Sequence, residues 1–411
     1  MLNAFALLAG VLALFPQAAQ ALEVKNGQRI VLLGNTLAER MQHHGWLETY
    51  AQLAMPDRKL TFRNHGFCGD KIDNRPRNRG FIDPHTYLEI SKADVILTFF
   101  GANEAWDDNP SDYGTKLGKW VDETLGKKYN GKSAPVIVLF SPIAHENHDS
   151  PNLPDGKEQN ARLKKITDVT AKVAKDKKLE YVDLFAASQK LFAQNRPSSG
   201  SKGDPDDGHD HLTLNGIHLT SEGNDHLARI ILKSVFGKDA PVKHAHLEQT
   251  RKAVLDKNWH WFNRYRATDG NDVWGGRSGL RFVDNQSNKD VLWHELAMID
   301  VMTANRDKVV HSAAKGKTIV ADDSNVPAPI AVKSNVGGKS RSSSSQKEGS
   351  VKYMKAQETA DQMQLQEGLE INVFADEEKF PEIANPVQMA VDTKGRLWVA
   401  AWPTSPKWEP L

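Results

Sequence analysis

The run Asp94-Val95-Ile96-Leu97-Thr98-Phe99-Phe100 constrains this chain more than any other part of it. Its side chains are apolar at successive positions rather than at alternate ones. A strand built from it must be covered on both faces, as a central strand of a parallel sheet is. Similar short runs recur at Arg29 to Leu33, Leu60 to Asn64, Pro135 to Phe140 and Leu179 to Leu184. Stretches of helical periodicity separate them: Leu37 to Ala54, Ser111 to Leu125, Glu158 to Lys175, and Ser221 to Val235 with Thr220 as its N-cap. Strands alternating with helices predict an α/β domain over residues 22–240, a three-layer α/β/α sandwich around a five-stranded parallel sheet. In such sheets ligands bind at the carboxyl ends of the strands. Thr36, Gly69 and Asn103 follow the first three strands, so they converge on one edge.

The remainder reads differently. Residues 241–312 are expected to be a helical extension, dense in Trp259, His260, Trp261, Phe262, Arg264, Tyr265 and Arg266. Such a segment can stack on sugar rings and hold anionic groups, with Trp261, Arg264 and Arg266 touching substrate. It can equally be a flap whose aromatics pack on the preceding domain. Residues 313–350, with Pro327-Ala328-Pro329 and the serine run Ser342 to Ser345, predict a disordered linker. Residues 351–411 recover strand patterns at Gly368 to Phe374 and Val387 to Ala401, the latter around an Asp-x-x-Gly turn. The sequence stops just after a strand, so it is expected to be a fragment or to end inside a domain.

Composition excludes several function classes. A formal net charge of +1 supplies no field to draw the chain to nucleic acid or an anionic membrane. The single cysteine, Cys68, excludes an internal disulfide and any Cys-x-x-Cys metal or haem motif. Residues 1–21 hold an apolar stretch, Ala4 to Phe15, followed by Ala19-Gln20-Ala21, a small-x-small cleavage pattern. A signal peptide, a secreted or periplasmic location and no membrane span after cleavage are expected. His209-Asp210-His211 has weak metal-site spacing and reads as exposed loop histidines. No metal or other cofactor is expected.

The residues that can carry chemistry are Gly34-Asn35-Thr36, Cys68-Gly69-Asp70, Gly101-Ala102-Asn103-Glu104 and Asn215-Gly216-Ile217-His218. In this order they resemble the four blocks of the SGNH (GDSL-type) ester hydrolases: Gly-Asp-Ser, a glycine, Gly-x-Asn and Asp-x-x-His. The resemblance covers residues 28–236 and implies a flavodoxin-like SGNH fold and acyl transfer. It implies Thr36 as nucleophile, His218 as base and Asn215 in the acid's position. It also implies an oxyanion hole from the Thr36 and Gly69 backbone N–H groups and the Asn103 amide. A side chain at Gly69 would then block the substrate carbonyl.

Two positions depart from the family pattern. Thr36 keeps a hydroxyl but adds a methyl that restricts χ1. Asn215 replaces a carboxylate and can hold the wrong imidazole tautomer. Asp206, Asp207 and Asp210 are upstream carboxylates that could substitute, or a solvated acidic loop. The segment after the domain resembles a region of large secreted planctomycete-type proteins that continue into a β-propeller and a haem-binding domain. Residues 366–408 resemble the start of that propeller, which implies further C-terminal domains. The expected function is a secreted hydrolase of an ester, a short acyl group on a small molecule or polysaccharide. The alternative is a weak or inactive domain kept as a glycan-binding or scaffold module.

Overall fold

The computed structural model describes residues 21–75, 82–195, 211–266, 270–282, 284–333, 354–383 and 386–401. The leader-like residues 4–20, His209 and Asp206, Asp207 and Asp210 lie outside this description. The elements run β1 Arg29–Gly34, α1 Thr36–His44, α2 Trp46–Ala54, β2 Thr61–Gly66, α3 Pro84–Ser91, β3 Val95–Phe99 and α4 Pro110–Leu125. There follow β4 Val136–Phe140, α5 Lys157–Lys177, β5 Glu180–Val182, α6 Leu184–Gln194 and α7 Ser221–Phe236. The chain continues with α8 Leu247–Arg266, α9 Gly270–Val273, α10 Asn288–Ala313, α11 Ala356–Asp361, β6 Pro386–Val391 and β7 Leu397–Ala401.

Five parallel strands form one sheet in the order β2-β1-β3-β4-β5, with Leu32 opposite Leu97 and Leu97 opposite Val138. Every residue of β3 is buried, as its two-faced apolar run requires. Phe99 and Phe140 stack across neighbouring strands with ring centroids 4.4 Å apart. This is the expected α/β/α sandwich. Thr220 caps α7, its side chain accepting the Gly223 N–H. No helix among the described residues is long and apolar enough to cross a membrane.

The structure corrects the sequence reading at several places. The helix expected over Leu37 to Ala54 is two helices, because Gly45 between them takes φ +71°, a left-handed conformation that ends a helix. The strand expected to reach Leu184 stops at Val182. Asp183 accepts the Ala186 N–H and starts α6 instead. Residues 368–374 form no strand among the described residues.

The chain divides into two compact units. The first contains the sheet and also residues 287–330. Lys257 of α8 is fully buried. Its Nζ lies 2.6 Å from Glu48 Oε2, 3.2 Å from the Phe62 carbonyl and 2.6 Å from Asn258 Oδ1. Arg63 of β2 makes a two-pronged pair with Asp307 of α10, at 3.0 and 2.6 Å. The helical extension is therefore sewn to the β2 side of the sheet, covering an edge that would otherwise invite pairing. Part of the expected linker is also held: Arg306 Nη1 donates to Asp323 at 2.6 Å. In the second unit β6 and β7 pair antiparallel around Asp392 to Gly395, where Asp392 Oδ1 accepts the Lys394 and Arg396 N–H groups.

Candidate active site

Parallel strands deliver their carboxyl ends to one edge, and the candidate residues sit on the loops that leave it. Thr36 is the first residue of α1, so its backbone N–H has no acceptor inside the helix. Asn35 caps that helix by accepting the Leu37 N–H at 3.3 Å. Thr36, Asn103 and His218 line one cleft, whose walls include Phe100, Trp106, Ile143, Leu163 and Ile217.

The loops that carry Gly69 and Asn103 brace one another. Asn103 Nδ2 donates to the Asp70 carbonyl at 2.9 Å, leaving a second N–H for a substrate oxygen. The buried Glu104 carboxylate accepts the Ile72 and Gly101 N–H groups at 2.7 and 2.8 Å. Gly69 has φ +83°, and a Cβ built there would meet nothing within 4 Å. That left-handed backbone conformation favours glycine.

His218 comes from the loop ahead of α7, closed by the bridge between Thr213 and Leu219. Its Nδ1 lies 3.0 Å from Asn215 Oδ1. The same oxygen accepts the His218 backbone N–H at 3.2 Å, which requires the carbonyl end of the amide to face the ring. Nδ1 must then carry the proton, and Nε2 is left as the free base. The wrong-tautomer concern raised by the sequence is resolved by a backbone contact. What an amide cannot supply is charge. Burial, reinforced by the Arg40 guanidinium, holds the His218 imidazole below its ordinary range.

Thr36 is the weaker part of the arrangement. No hydrogen bond joins its hydroxyl to His218 among the described residues; the hydroxyl lies against the Cys68 thiol. Cys68 is exposed and its Sγ donates to Glu39. Burial of the sulfur and this bond to Glu39 push the thiol up.

The aromatic and arginine segment lies elsewhere than the sequence suggested. Trp261 and Arg264 are 2% and 6% exposed, so neither offers a surface to substrate. Trp261 Nε1 donates to the Asn64 carbonyl at 2.7 Å, and its ring stacks on His65. Arg264 pairs with Asp300 at 2.9 Å. Both are interior residues of the α8 packing, as the flap alternative had it. Arg266 alone reaches the site loops, its guanidinium 3.7 Å above the Phe67 ring. Sequence reading missed Trp106 and Ile217, exposed by 60% and 39% at the cleft. Their signal was position, three residues after Asn103 and directly before His218.

The model of the GDSL-like Lipase/Acylhydrolase family matches residues 32–226, and the five-stranded parallel sheet with its flanking helices matches the SGNH hydrolase fold. A domain of unknown function, DUF7133, matches residues 355–409. No curated protein sequence matches the chain. Among solved structures, the acetyl xylan esterase AlAXEase is similar at 18% identity and TM-score 0.38, over 50% of this chain and 99% of its own. A catalytic mutant of Axe2, an acetylxylan esterase from Geobacillus stearothermophilus, is similar at 15% identity and TM-score 0.40, over 52% and 96%. Est24, a carbohydrate acetylesterase from Sinorhizobium meliloti, is similar at 17% identity and TM-score 0.34, over 50% and 96%.

Proposed function

We propose that this protein is a carboxylic ester hydrolase acting through Thr36 and His218, with a short acyl ester on a carbohydrate as substrate. The observation that carries the reading is the 3.0 Å contact between His218 Nδ1 and Asn215 Oδ1. It leaves Nε2 unprotonated in the cleft that Thr36 lines. The Thr36 oxygen attacks the ester carbonyl while His218 Nε2 takes its proton. The Thr36 and Gly69 N–H groups and the Asn103 amide stabilise the oxyanion. Collapse of the intermediate expels the alcohol, which receives the proton from Nε2. Water then attacks the acyl-threonine, giving its proton to Nε2, and the acid leaves as Thr36 regains it. Exposed Trp106 supplies a face on which a sugar ring can stack. The leader-like N-terminus supports a site of action outside the cytoplasm.

The experiment is hydrolysis of p-nitrophenyl acetate and acetylated xylan by the wild type and by Thr36→Ser/Asn215→Asp. The double variant removes the restricting methyl and restores a carboxylate beside Nδ1. A gain of ~10- to 100-fold is expected, the equivalent of one to two pKa units in the base. Absence of activity from both proteins on both esters would remove the hydrolase reading. One observation favours the second reading, a weak or silent glycan-binding domain: the Thr36 hydroxyl lies against Cys68 rather than bonding His218. Binding of xylan by an inactive double variant would establish it.

The pH profile supplies an independent check. The base works when neutral, and its pKa is lowered. Activity should hold on acidification through about pH 6.5, the ordinary imidazole value, and fall only below it. Asn215→Asp stabilises the imidazolium, raises the pKa and moves that acid limb upward. A wild-type limb above the ordinary value would show that another group is the base.

A further inference from the structure

A second chemically loaded cluster stands at the foot of the His218 loop, built from the loop after β4 and the segment ahead of α7. Glu146, His148 and His211 each offer one ligand atom, and all three atoms lie within 4.8 Å of one another. His148 Nε2 is 3.6 Å from Glu146 Oε2, and His211 Nδ1 is 3.6 Å from Glu146 Oε1. The two imidazoles stack with centroids 3.9 Å apart and planes within 13°.

We propose that Glu146, His148 and His211 form a site for a divalent transition metal, with zinc as the ion its donor set suits. Two imidazoles and one carboxylate are a borderline donor set of the kind zinc takes. A tetrahedral zinc with bonds of about 2.0–2.1 Å separates its ligand atoms by roughly 3.3–3.4 Å. The two histidines approach different oxygens of Glu146, and the three ligand atoms, one from each residue, lie within 4.8 Å of one another, so the side chains must draw together around the ion.

The carboxylate is already positioned by outer partners, as ligating carboxylates are. Glu146 Oε1 accepts the Leu212 N–H at 3.2 Å; Oε2 accepts the Thr213 N–H at 2.8 Å and its hydroxyl at 2.6 Å. His148 Nε2 now bonds Thr213 Oγ1 at 2.7 Å. Metal binding would displace that proton and exchange the bond for a stronger one. Three protein ligands leave one position open, the count of an exchangeable site rather than a closed one.

The location gives the ion a role. Glu146 N–H donates to the Gly216 carbonyl at 2.8 Å, and Gly216 N–H donates to Thr213 Oγ1 at 3.0 Å. Glu146 and Thr213 therefore hold Gly216, within the turn that presents Asn215 and His218. An ion here would staple that turn to the β4 loop without touching substrate. The proposal stands apart from the ester-hydrolase reading, because the same residues would bind metal in an inactive domain.

The test uses the full chain without a histidine tag, stripped with chelator and titrated with Zn²⁺ in competition with a chelator of known affinity. One zinc per chain is expected. His148→Ala and His211→Ala should each weaken it at least tenfold, while His226→Ala, on α7, should not change it. Zinc should raise the melting temperature of the wild type but not of His211→Ala, with circular dichroism showing that variant folded. Glu146→Gln, which keeps the shape of the side chain, should also lose the ion. Co²⁺ should give the intense visible bands of tetrahedral coordination. Failure to bind Zn²⁺ at micromolar concentration, or equal binding by wild type and all three ligand variants, would overturn the site. Weak octahedral Co²⁺ bands would overturn the zinc geometry.

Discussion

His218→Ala should lower kcat for p-nitrophenyl acetate by about 10²–10⁴-fold, the usual contribution of a positioned general base. The hydroxyl of Thr36 is a poor nucleophile at neutral pH without a group to take its proton. Nε2 is the acceptor that the Asn215 contact leaves free. Thr36→Ala should lose at least as much. The double variant should be little worse than the weaker single one, since the two side chains act as a unit. The structure sets limits on this result. The Thr36 hydroxyl must turn from Cys68 toward His218 before it can react, and the threonine methyl restricts that rotation. Turnover measured on His218→Ala, Thr36→Ala and their combination decides the matter. Additive losses would mean that one residue acts outside the acyl-transfer step.

The second large effect concerns stability. Lys257→Ala should destabilise the first unit by about 3–5 kcal/mol, because it leaves the Glu48 carboxylate buried and unpaired. Side-chain exposure is 1% for Lys257 and 7% for Glu48, and the ammonium has three acceptors for its three protons. The melting temperature should fall by about 1–2 °C for each kcal/mol at this size. Lys257→Met with Glu48→Leu should recover much of the loss, since replacing both partners removes the orphaned charge. By contrast, Lys164→Ala, which breaks an exposed pair with Asp168, should leave the melting temperature nearly unchanged. Thermal unfolding of the three variants measures the difference. A mild Lys257→Ala would mean that water reaches Glu48. The site would feel this change: α8 also carries Trp261 and Arg266, which pack on Asn64 and Phe67 just ahead of Gly69.

The sheet was legible because its signal is local. Five short runs, most of them apolar, specify strands whichever helices cover them, and parallel order follows from the alternation. The site loops were legible for the same reason, since each leaves the carboxyl end of a strand. Gly45 was harder to read: a glycine in a helical pattern is tolerated in one setting and ends the helix in another, and only its φ distinguishes them. Asp183 was read as strand because its capping contact with Ala186 depends on the chain turning.

Composition could show that residues 258–266 carry Trp, Arg and Tyr, but not which face they present. Exposure is decided by what packs against a helix, and here α10 and the β2 side of the sheet bury Trp261 and Arg264 while leaving Trp259 exposed by 64%. His211 was read beside its neighbours in sequence, whereas the groups that face it, Glu146 and His148, come from another loop. By itself the sequence determined the α/β layering, the edge on which the chemistry gathers and the residues at that edge. Only the tertiary structure decided the tautomer of His218, the burial of the aromatic segment and the meeting of Glu146, His148 and His211. The first group depends on hydrophobic periodicity within a few residues. The second depends on directional contacts between segments far apart in the chain, which no local pattern encodes.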